Sequence, residues 1–222
     1  MTDLAVAKVG NGSLAAPMSG DDCRAEPFAE HHRATLKTAC AEDQEIWSIF
    51  STSFAPDHFD ANIDVLAADP RNHVFVLFDG DTLAGMSSFL GIDERRQTVE
   101  IGATYCHPSL RGTGFNARVK DMMLERAFAC GTRRVEFRVD KRNFRSLAAC
   151  KKLGAVREGV LRADGHDDLI GRRGPAAVGG GGGTDRLPQR RRPRDRGVAR
   201  RAFFRGFVGG VDDVRRRRKV GL

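Results

Sequence analysis

The sequence lacks several features that mark whole classes of protein. No stretch of about 18 apolar residues is present, so it predicts no transmembrane helix. The first 16 residues contain one lysine and no sustained apolar run, unlike a secretory signal. The five cysteines include no C-x-x-C pair, which disfavours a disulfide framework, and the six histidines lack metal-ligand spacing. These absences predict a cytoplasmic protein with no membrane partner and no metal.

Positive charge is concentrated at the end of the chain. Residues 163–222 contain 15 arginines and one lysine against seven aspartates, together with 13 glycines. The whole chain has a formal net charge of +8, so the preceding residues are close to neutral. Such a composition is typical of disorder, and the only apolar patch in this segment is 202–208. We therefore expect three parts, which are a flexible leader over 1–22, a folded domain over 23–162 and a basic tail.

The domain begins with helical and then strand patterns. Two helical pieces are expected over 30–50, and another begins after Pro56. Apolar runs at 74–78, 83–90 and 98–105 are separated by polar turns. These runs predict an antiparallel meander of three strands.

The second half of the domain has a different order. Apolar residues recur at helical spacing from Phe115 to Cys130, and a strand pattern follows at 134–139. A helix between two neighbouring strands predicts a parallel βαβ crossover. A short helix at 143–153 and a further strand at 155–161 are expected after it. The fold class is therefore α/β, with a mixed sheet flanked by helices.

A glycine-rich turn at 107–116 joins the third strand of the meander to the long helix. The first N–H groups of a helix have no intrahelical acceptor and attract anions. Gly112 and Gly114 allow the backbone to approach a phosphate without an intervening Cβ. The turn therefore predicts an anion site, although a plain tight turn and a surface position for Arg111 remain alternatives.

The order of these motifs resembles that of the GCN5-related N-acetyltransferases (GNAT), over residues 23 to 162. The Arg/Gln-x-x-Gly-x-Gly/Ala signature of that family resembles the run from Arg111 to Asn116, with asparagine at its last position. His107-Pro108 precedes the loop, Asn143 and Ser146 follow at family spacing, and Leu153-Gly154-Ala155 resembles Leu-Gly-Phe. The sequence is most similar to the branch that includes the ribosomal-protein N-terminal (alanine/serine) acetyltransferases.

The resemblance implies a fold, a substrate and a set of binding residues. The fold is a GNAT-like mixed central sheet, in which a meander precedes βαβ. The substrate is acetyl-CoA, as acyl donor, and an amine accepts the acetyl group. The pyrophosphate of acetyl-CoA would lie on the amides of the loop. The pantetheine arm of acetyl-CoA would lie along the strand end where two strands splay apart. The implied binding residues are Tyr105, Cys106, His107, Arg111, Gly112, Thr113, Gly114, Phe115, Asn116, Asn143 and Ser146. Asparagine also favours helix N-caps, so that role for Asn143 stays open.

Amide formation needs a neutral amine, and this requirement bears on the choice of a base. An α-amine with a pKa of about 7.7–8.0 is partly neutral near pH 7, whereas lysine near 10.4 is not. Glu100 is the candidate base, with an ordinary exposed or salt-bridged strand residue as the alternative. The tyrosine that often protonates the thiolate in this family is replaced by Cys150. Tyr105 is the only tyrosine, and core packing is the role expected of it.

The family pattern stops matching after residue 162. The hydrophobic strand that completes the sheet does not follow the Asp164-Gly165 turn, so we expect the last strand to be missing. The Arg- and Gly-rich composition of 163–222 suggests translation in a shifted frame, which the other two reading frames would test. Two alternative functions stay open: a catalytically impaired acyl-CoA-binding protein, and a nucleic-acid-binding protein that uses its basic tail. The sequence does not indicate an oligomeric state.

Overall fold

The computed structural model describes residues 14–20, 22–161 and 201–205. These residues form an eight-stranded mixed sheet with helices on both faces. The strands are β1 Met18–Ser19, β2 Cys23–Pro27, β3 His73–Asp79, β4 Thr82–Asp93, β5 Thr98–Cys106, β6 Arg134–Asp140, β7 Val156–Leu161 and β8 Arg201–Arg205. Their spatial order is β1-β2-β3-β4-β5-β6-β8-β7. Only β5 and β6 pair in parallel among the described strands, which confirms a meander followed by a βαβ unit.

Four α-helices whose bounds lie within the described residues flank the sheet, together with short 3₁₀ segments. The helices are α1 Arg33–Ala41, α2 Phe59–Ala68, α3 Phe115–Ala129 and α4 Phe144–Lys152. The 3₁₀ segments are Glu30–His32, Glu45–Ile49 and Pro108–Leu110. In the part of the chain that the structure describes, no helix has the length and apolar character of a membrane span.

The sheet is buried on both faces because its strands carry apolar residues at successive positions. Along β3, Val74, Val76 and Phe78 pack against α1 and α2. The alternate residues Phe75 and Leu77 face α3. A continuous apolar run therefore places this strand in the middle of a three-layer structure.

The leader is shorter than the sequence suggests. Leu14 is fully buried and Met18 nearly so, and both pack in the core beside α3. Strand β1 pairs with β2 through Met18 and Ala25. The expected flexible leader over 1–22 is therefore wrong for 14–20, because these apolar side chains cover the end of the core; residues 1–13 lie outside the described residues.

The sheet also has the last strand that the sequence analysis expects to be missing. Arg201–Arg205 lies between β6 and β7 and pairs antiparallel with both. Backbone hydrogen bonds require no particular side chains. A segment within the basic tail can therefore pair with the backbone N–H and C=O groups at the edges of both β6 and β7. That expectation is therefore wrong. The expected disorder of the rest of the tail, over 162–200 and 206–222, lies outside the described residues, and the shifted reading frame stays a prediction.

Candidate active site

Strands β5 and β6 pair over three residues and then separate. The last pair joins Glu100 to Glu136, although β5 continues to Cys106 and β6 to Asp140. Beyond Glu100, the edge of β5 that faces β6 has no partner strand in the described part of the chain. The separation begins earlier than the sequence suggests, so Glu100 lies at the apex of the cleft.

A bulge in β5 lies within this open stretch. Met86 pairs with Tyr105 and Ser88 with Gly102, so β5 has one more residue than β4 between these pairs. Ala103 accommodates the extra residue with φ of 46°, a conformation that is strained without glycine. A bulge redirects the side chains around it. Here it brings Thr104 onto the face of the sheet covered by α3, where its hydroxyl contacts Lys120.

The glycine-rich loop lies at the open end of the cleft. Pro108–Leu110 forms a 3₁₀ turn that His107 caps, since its Nδ1 accepts from the Ser109 N–H at 3.3 Å. Gly112 and Gly114 both have φ of 85°, and Gly114 is the N-cap of α3. Thr113 fixes the turn between them by donating to the Leu110 carbonyl at 2.8 Å.

The loop leaves donors free for an anion. Within the described residues, the N–H groups of Gly112 and Gly114 donate to no acceptor, while that of Thr113 is used inside the loop. A Cβ at Gly112 would meet nothing within 4 Å, so the space above the backbone is open. The Arg118 side chain donates to the Thr113 carbonyl at 3.4 Å, which adds a cation beside the loop. Free donors, open space and a helix N-terminus together fit a phosphate.

Arg111 does not lie free on the surface. Its guanidinium forms an ion pair with Asp43, in the segment after α1, while its Nη2 is buried without a hydrogen-bond partner. Burial opposes ionisation of the Asp43 carboxyl, but the hydrogen bond and charge of Arg111 outweigh it and lower its pKa. This pair anchors the loop to the segment after α1.

The Glu100 carboxylate lies on the face of the sheet that carries α1 and α2. Its Oε2 is 3.3 Å from the Arg138 Nε, so the salt-bridged alternative is realised. A Cβ on Gly102 would come within 2.9 Å of Glu100 Oε1, so the glycine makes room for the carboxylate. Ser88, the register partner of Gly102, has a buried hydroxyl without a hydrogen-bond partner. The apex therefore holds a carboxylate and an unsatisfied hydroxyl on one face.

The other residues expected at the strand end and the start of the helix are mostly structural. The Tyr105 hydroxyl donates to the Ala39 carbonyl at 2.7 Å, and its ring stacks on Trp47, in agreement with a packing role. The side chain of Phe115 is fully buried in the core. The Cys106 thiol and the Asn116 side chain are in contact at 3.9 Å, which joins β5 to the first turn of α3.

Asn143 caps α4, which was the alternative to a binding role. Its Oδ1 accepts from the Ser146 N–H at 3.0 Å, so Ser146 is placed by this cap. This cap uses only the Oδ1 of the Asn143 side-chain amide, which also carries two N–H donors.

Lys120 is the main feature of the site that sequence reasoning missed. It is 6% exposed, and its Nζ donates to Thr104 Oγ1 at 2.5 Å and to Ser87 Oγ at 3.2 Å. Burial lowers the pKa of this lysine to about 8, against the opposing effects of Cys106, Cys150 and Glu100. The burial of Lys120 could have been predicted from helical spacing, because Lys120 precedes the buried Leu124 and Ala127 by four and seven residues on one helical face. No sequence feature predicted the contact of Asp43 with Arg111, because Asp43 is far from the loop in sequence.

Comparisons with known proteins show a family match and several similar folds. The model of the acetyltransferase (GNAT) family matches residues 43–155. A protein of T. thermophilus classed as an acetyltransferase is 25% identical with a TM-score of 0.70, over 93% of this chain and 96% of that one. The Salmonella typhimurium acetyl transferase that modifies the N-terminal serine of ribosomal protein L7/L12 is 13% identical with a TM-score of 0.63, over 87% and 99%.

A third similar structure contains its ligands. The microcin C7 self-immunity acetyltransferase, in complex with acetyl-CoA and AMP, is 14% identical with a TM-score of 0.61, over 84% of this chain and 93% of that chain. The search of curated protein sequences gave no match. At 13% and 14% identity, the likeness to the Salmonella typhimurium and microcin C7 proteins concerns the fold alone.

Proposed function

This chain belongs to the GNAT acetyltransferase family, and on that premise we propose that it transfers the acetyl group of acetyl-CoA to a primary amine by direct attack in a ternary complex. The amine belongs to a protein N-terminus or to a small molecule. Membership makes the chain an acetyl-CoA-dependent acyltransferase. The proposal concerns the acceptor, the mechanism and the residues.

The observation that carries the proposal is the free loop at the N-terminus of α3. Gly112 and Gly114 present unpaired N–H groups at the open end of a cleft between separated strands. The pyrophosphate of acetyl-CoA would bind these groups, with Arg111 and Arg118 beside it. Its pantetheine arm would lie along the unpaired edge of β5, and the acyl thioester it carries supplies the electrophile.

We assign the acceptor side to the face with α1 and α2. Glu100 removes a proton from the attacking amine, and Arg138 holds this carboxylate in place through their ion pair. The buried Ser88 hydroxyl offers a hydrogen bond to the same region. One weak base suits an α-amine, which is already partly neutral near pH 7, better than a lysine side chain. The site therefore favours amines of low pKa.

The first experiment separates binding from turnover. Acetyl-CoA is titrated into the full-length protein by calorimetry, and CoA release is then followed with a panel of amines. The panel contains a peptide with the N-terminal serine sequence of L7/L12, the same peptide with a blocked N-terminus and an internal lysine, and the polyamine spermidine. Absence of acetyl-CoA binding refutes the proposal. Binding without release on any amine favours the catalytically impaired alternative.

The nucleic-acid alternative depends on the basic tail, most of which lies outside the described residues. Retention of the full-length protein on RNA or DNA, with steep salt dependence, would support it. A truncated chain ending at residue 161 would lose β8, so that comparison uses arginine-to-glutamine changes at 190–192 and 215–218 instead.

A further inference from the structure

Lys120 has more hydrogen-bond donors than acceptors around it. An ammonium group carries three N–H donors, and the described residues supply two acceptors, the hydroxyls of Thr104 and Ser87. These two hydroxyls also bond each other at 2.7 Å, so neither depends on Lys120 for its only partner. One N–H of the buried ammonium has no acceptor among the described residues, and the centroid of the Phe137 ring lies 5.9 Å from Nζ.

Within the part of the chain that the structure describes, no carboxylate lies within ion-pair distance of Lys120, and Glu100 is engaged with Arg138. The titratable groups that act on it electrostatically are Cys106 and Glu100 on β5, and Cys150 on α4. Burial raises the pKa of both thiols to about 11, so near pH 7 they are neutral. A buried cation without a counter-charge is costly, so a role beyond packing is expected of it.

The ammonium lies behind the open edge of β5. Asn116 and Lys120 are one helical turn apart on α3, and they contact Cys106 and Thr104, which are two residues apart on β5. The loop with the free amides is at the Asn116 end. Lys120 is therefore one turn deeper along the cleft, on the way from the phosphate loop to the apex at Glu100.

Acetyl transfer creates an anion in this cleft. When the amine attacks the thioester carbonyl and the C–N bond forms, the C–S bond breaks and its electron pair stays on sulfur as the CoA thiolate. We propose that Lys120 is the general acid of the reaction, and that its unsatisfied N–H binds the departing sulfur and gives it a proton. This inference rests on the proposed function.

The protons balance without a further reactant. The amine loses one proton to Glu100 and solvent, and the sulfur gains one from Lys120, which is reprotonated from solvent before the next turnover. The products are the amide and CoA in its thiol form. Cys150 is at the position where the family often has tyrosine, and burial raises its pKa to about 11, which makes it a weaker acid than Lys120.

The test needs no acceptor amine, because CoA itself is the probe. Wild-type protein is titrated with CoA and with desulfo-CoA, which lacks the sulfur atom, and the ultraviolet absorbance of the bound thiolate is followed against pH. We expect CoA to bind about tenfold tighter than desulfo-CoA at pH 8, the size of one charge-assisted hydrogen bond. The thiol of bound CoA should ionise at lower pH than that of free CoA.

Variants then assign the effect to Lys120. Lys120→Met should abolish the preference for CoA over desulfo-CoA, whereas the matched change at an exposed lysine, Lys152→Met, should keep it. Lys120→Arg keeps a positive charge and should retain part of the preference for CoA over desulfo-CoA. With an amine found by the panel, we expect the wild-type rate to fall above about pH 8. Lys120→Met should lower kcat, leave KM for acetyl-CoA within about twofold, and show no such fall.

Three outcomes overturn the inference, and two of them need no variant. Ionisation of bound CoA at the pH of free CoA in the wild type refutes it, even if Lys120→Met does not fold. So does equal binding of CoA and desulfo-CoA by the wild type, or an unchanged preference in Lys120→Met. In all three cases binding of acetyl-CoA leaves the proposed function intact, whereas a wild type that binds no acetyl-CoA refutes both.

Discussion

The guanidinium of Arg111 is paired with the carboxylate of Asp43, 68 positions earlier in the chain. The pair connects the glycine-rich loop to the segment between α1 and α2. Both side chains are about three-quarters buried, so solvent screens the interaction only in part. It therefore restrains the loop relative to that segment.

Replacing Asp43 should destabilise the protein in a pH-dependent way. Because the folded-state pKa of Asp43 is lowered, its contribution is complete above the unfolded-state pKa of about 3.9 and is lost as pH falls through the folded-state value. Asp43→Asn should lower the free energy of unfolding by about 1–2 kcal/mol at pH 7. Urea unfolding measures this, with the fully exposed Asp81→Asn as control. Equal losses in both variants would contradict the anchoring role.

Replacing Gly112 should separate loop strain from anion binding. Alanine at φ of 85° costs about 1–2 kcal/mol, and its methyl group occupies the open space over the free N–H groups. Gly112→Ala should therefore weaken acetyl-CoA binding at least about tenfold in calorimetry. Gly80→Ala is the matched control, since it also has positive φ and open space but lies in the β3–β4 turn. Gly80→Ala should lower stability without weakening acetyl-CoA binding. A similar loss of binding in both variants would refute the assignment of the acetyl-CoA site to the loop.

Replacing Glu100 should affect catalysis and not binding of acetyl-CoA. Glu100→Gln removes the base, so kcat with an amine from the panel should fall about 100-fold. Glu136→Gln is a close control, because Glu136 is the register partner of Glu100, is equally exposed at 18% and also pairs with an arginine. Similar kcat values for the two variants would assign the proton transfer to water.

Replacing Lys120 by methionine should stabilise the protein at neutral pH. The folded-state pKa of about 8 lies below the unfolded-state value of about 10.4, so the unfolded chain binds more protons between them and wild-type stability rises with pH there. Lys120→Met should gain about 2–3 kcal/mol below pH 8 and lose this advantage towards pH 10. Urea unfolding at several pH values measures it, and Lys152→Met should show no such trend. A variant less stable than wild type at pH 7 would contradict the cost of burial.

Much of the fold could be predicted because its signals are contiguous in sequence. The apolar runs of β3, β4 and β5 and the helical spacing of α3 each lie within about fifteen residues, where periodicity specifies the element. The loop was identified for the same reason, since glycines next to a helix start determine local backbone geometry. The family resemblance then supplied the order of the strands.

Other features depended on residues far apart in sequence. The pairing of Arg201–Arg205 with β6 and β7 was missed because strand pairing is a long-range choice that carries little local signal. The packing of Leu14 and Met18 was missed because the turn-like sequence around them suggested a free end.

The sequence by itself determined most of the elements, their order and the glycine-rich loop, because local sterics and periodicity decide these. Only the tertiary structure decided which charges meet. It turned Arg111 towards Asp43, paired Glu100 with Arg138 and left the Lys120 ammonium buried with an unsatisfied donor. The energies of such charges depend on burial and on partners brought together by packing, which no short stretch of sequence specifies.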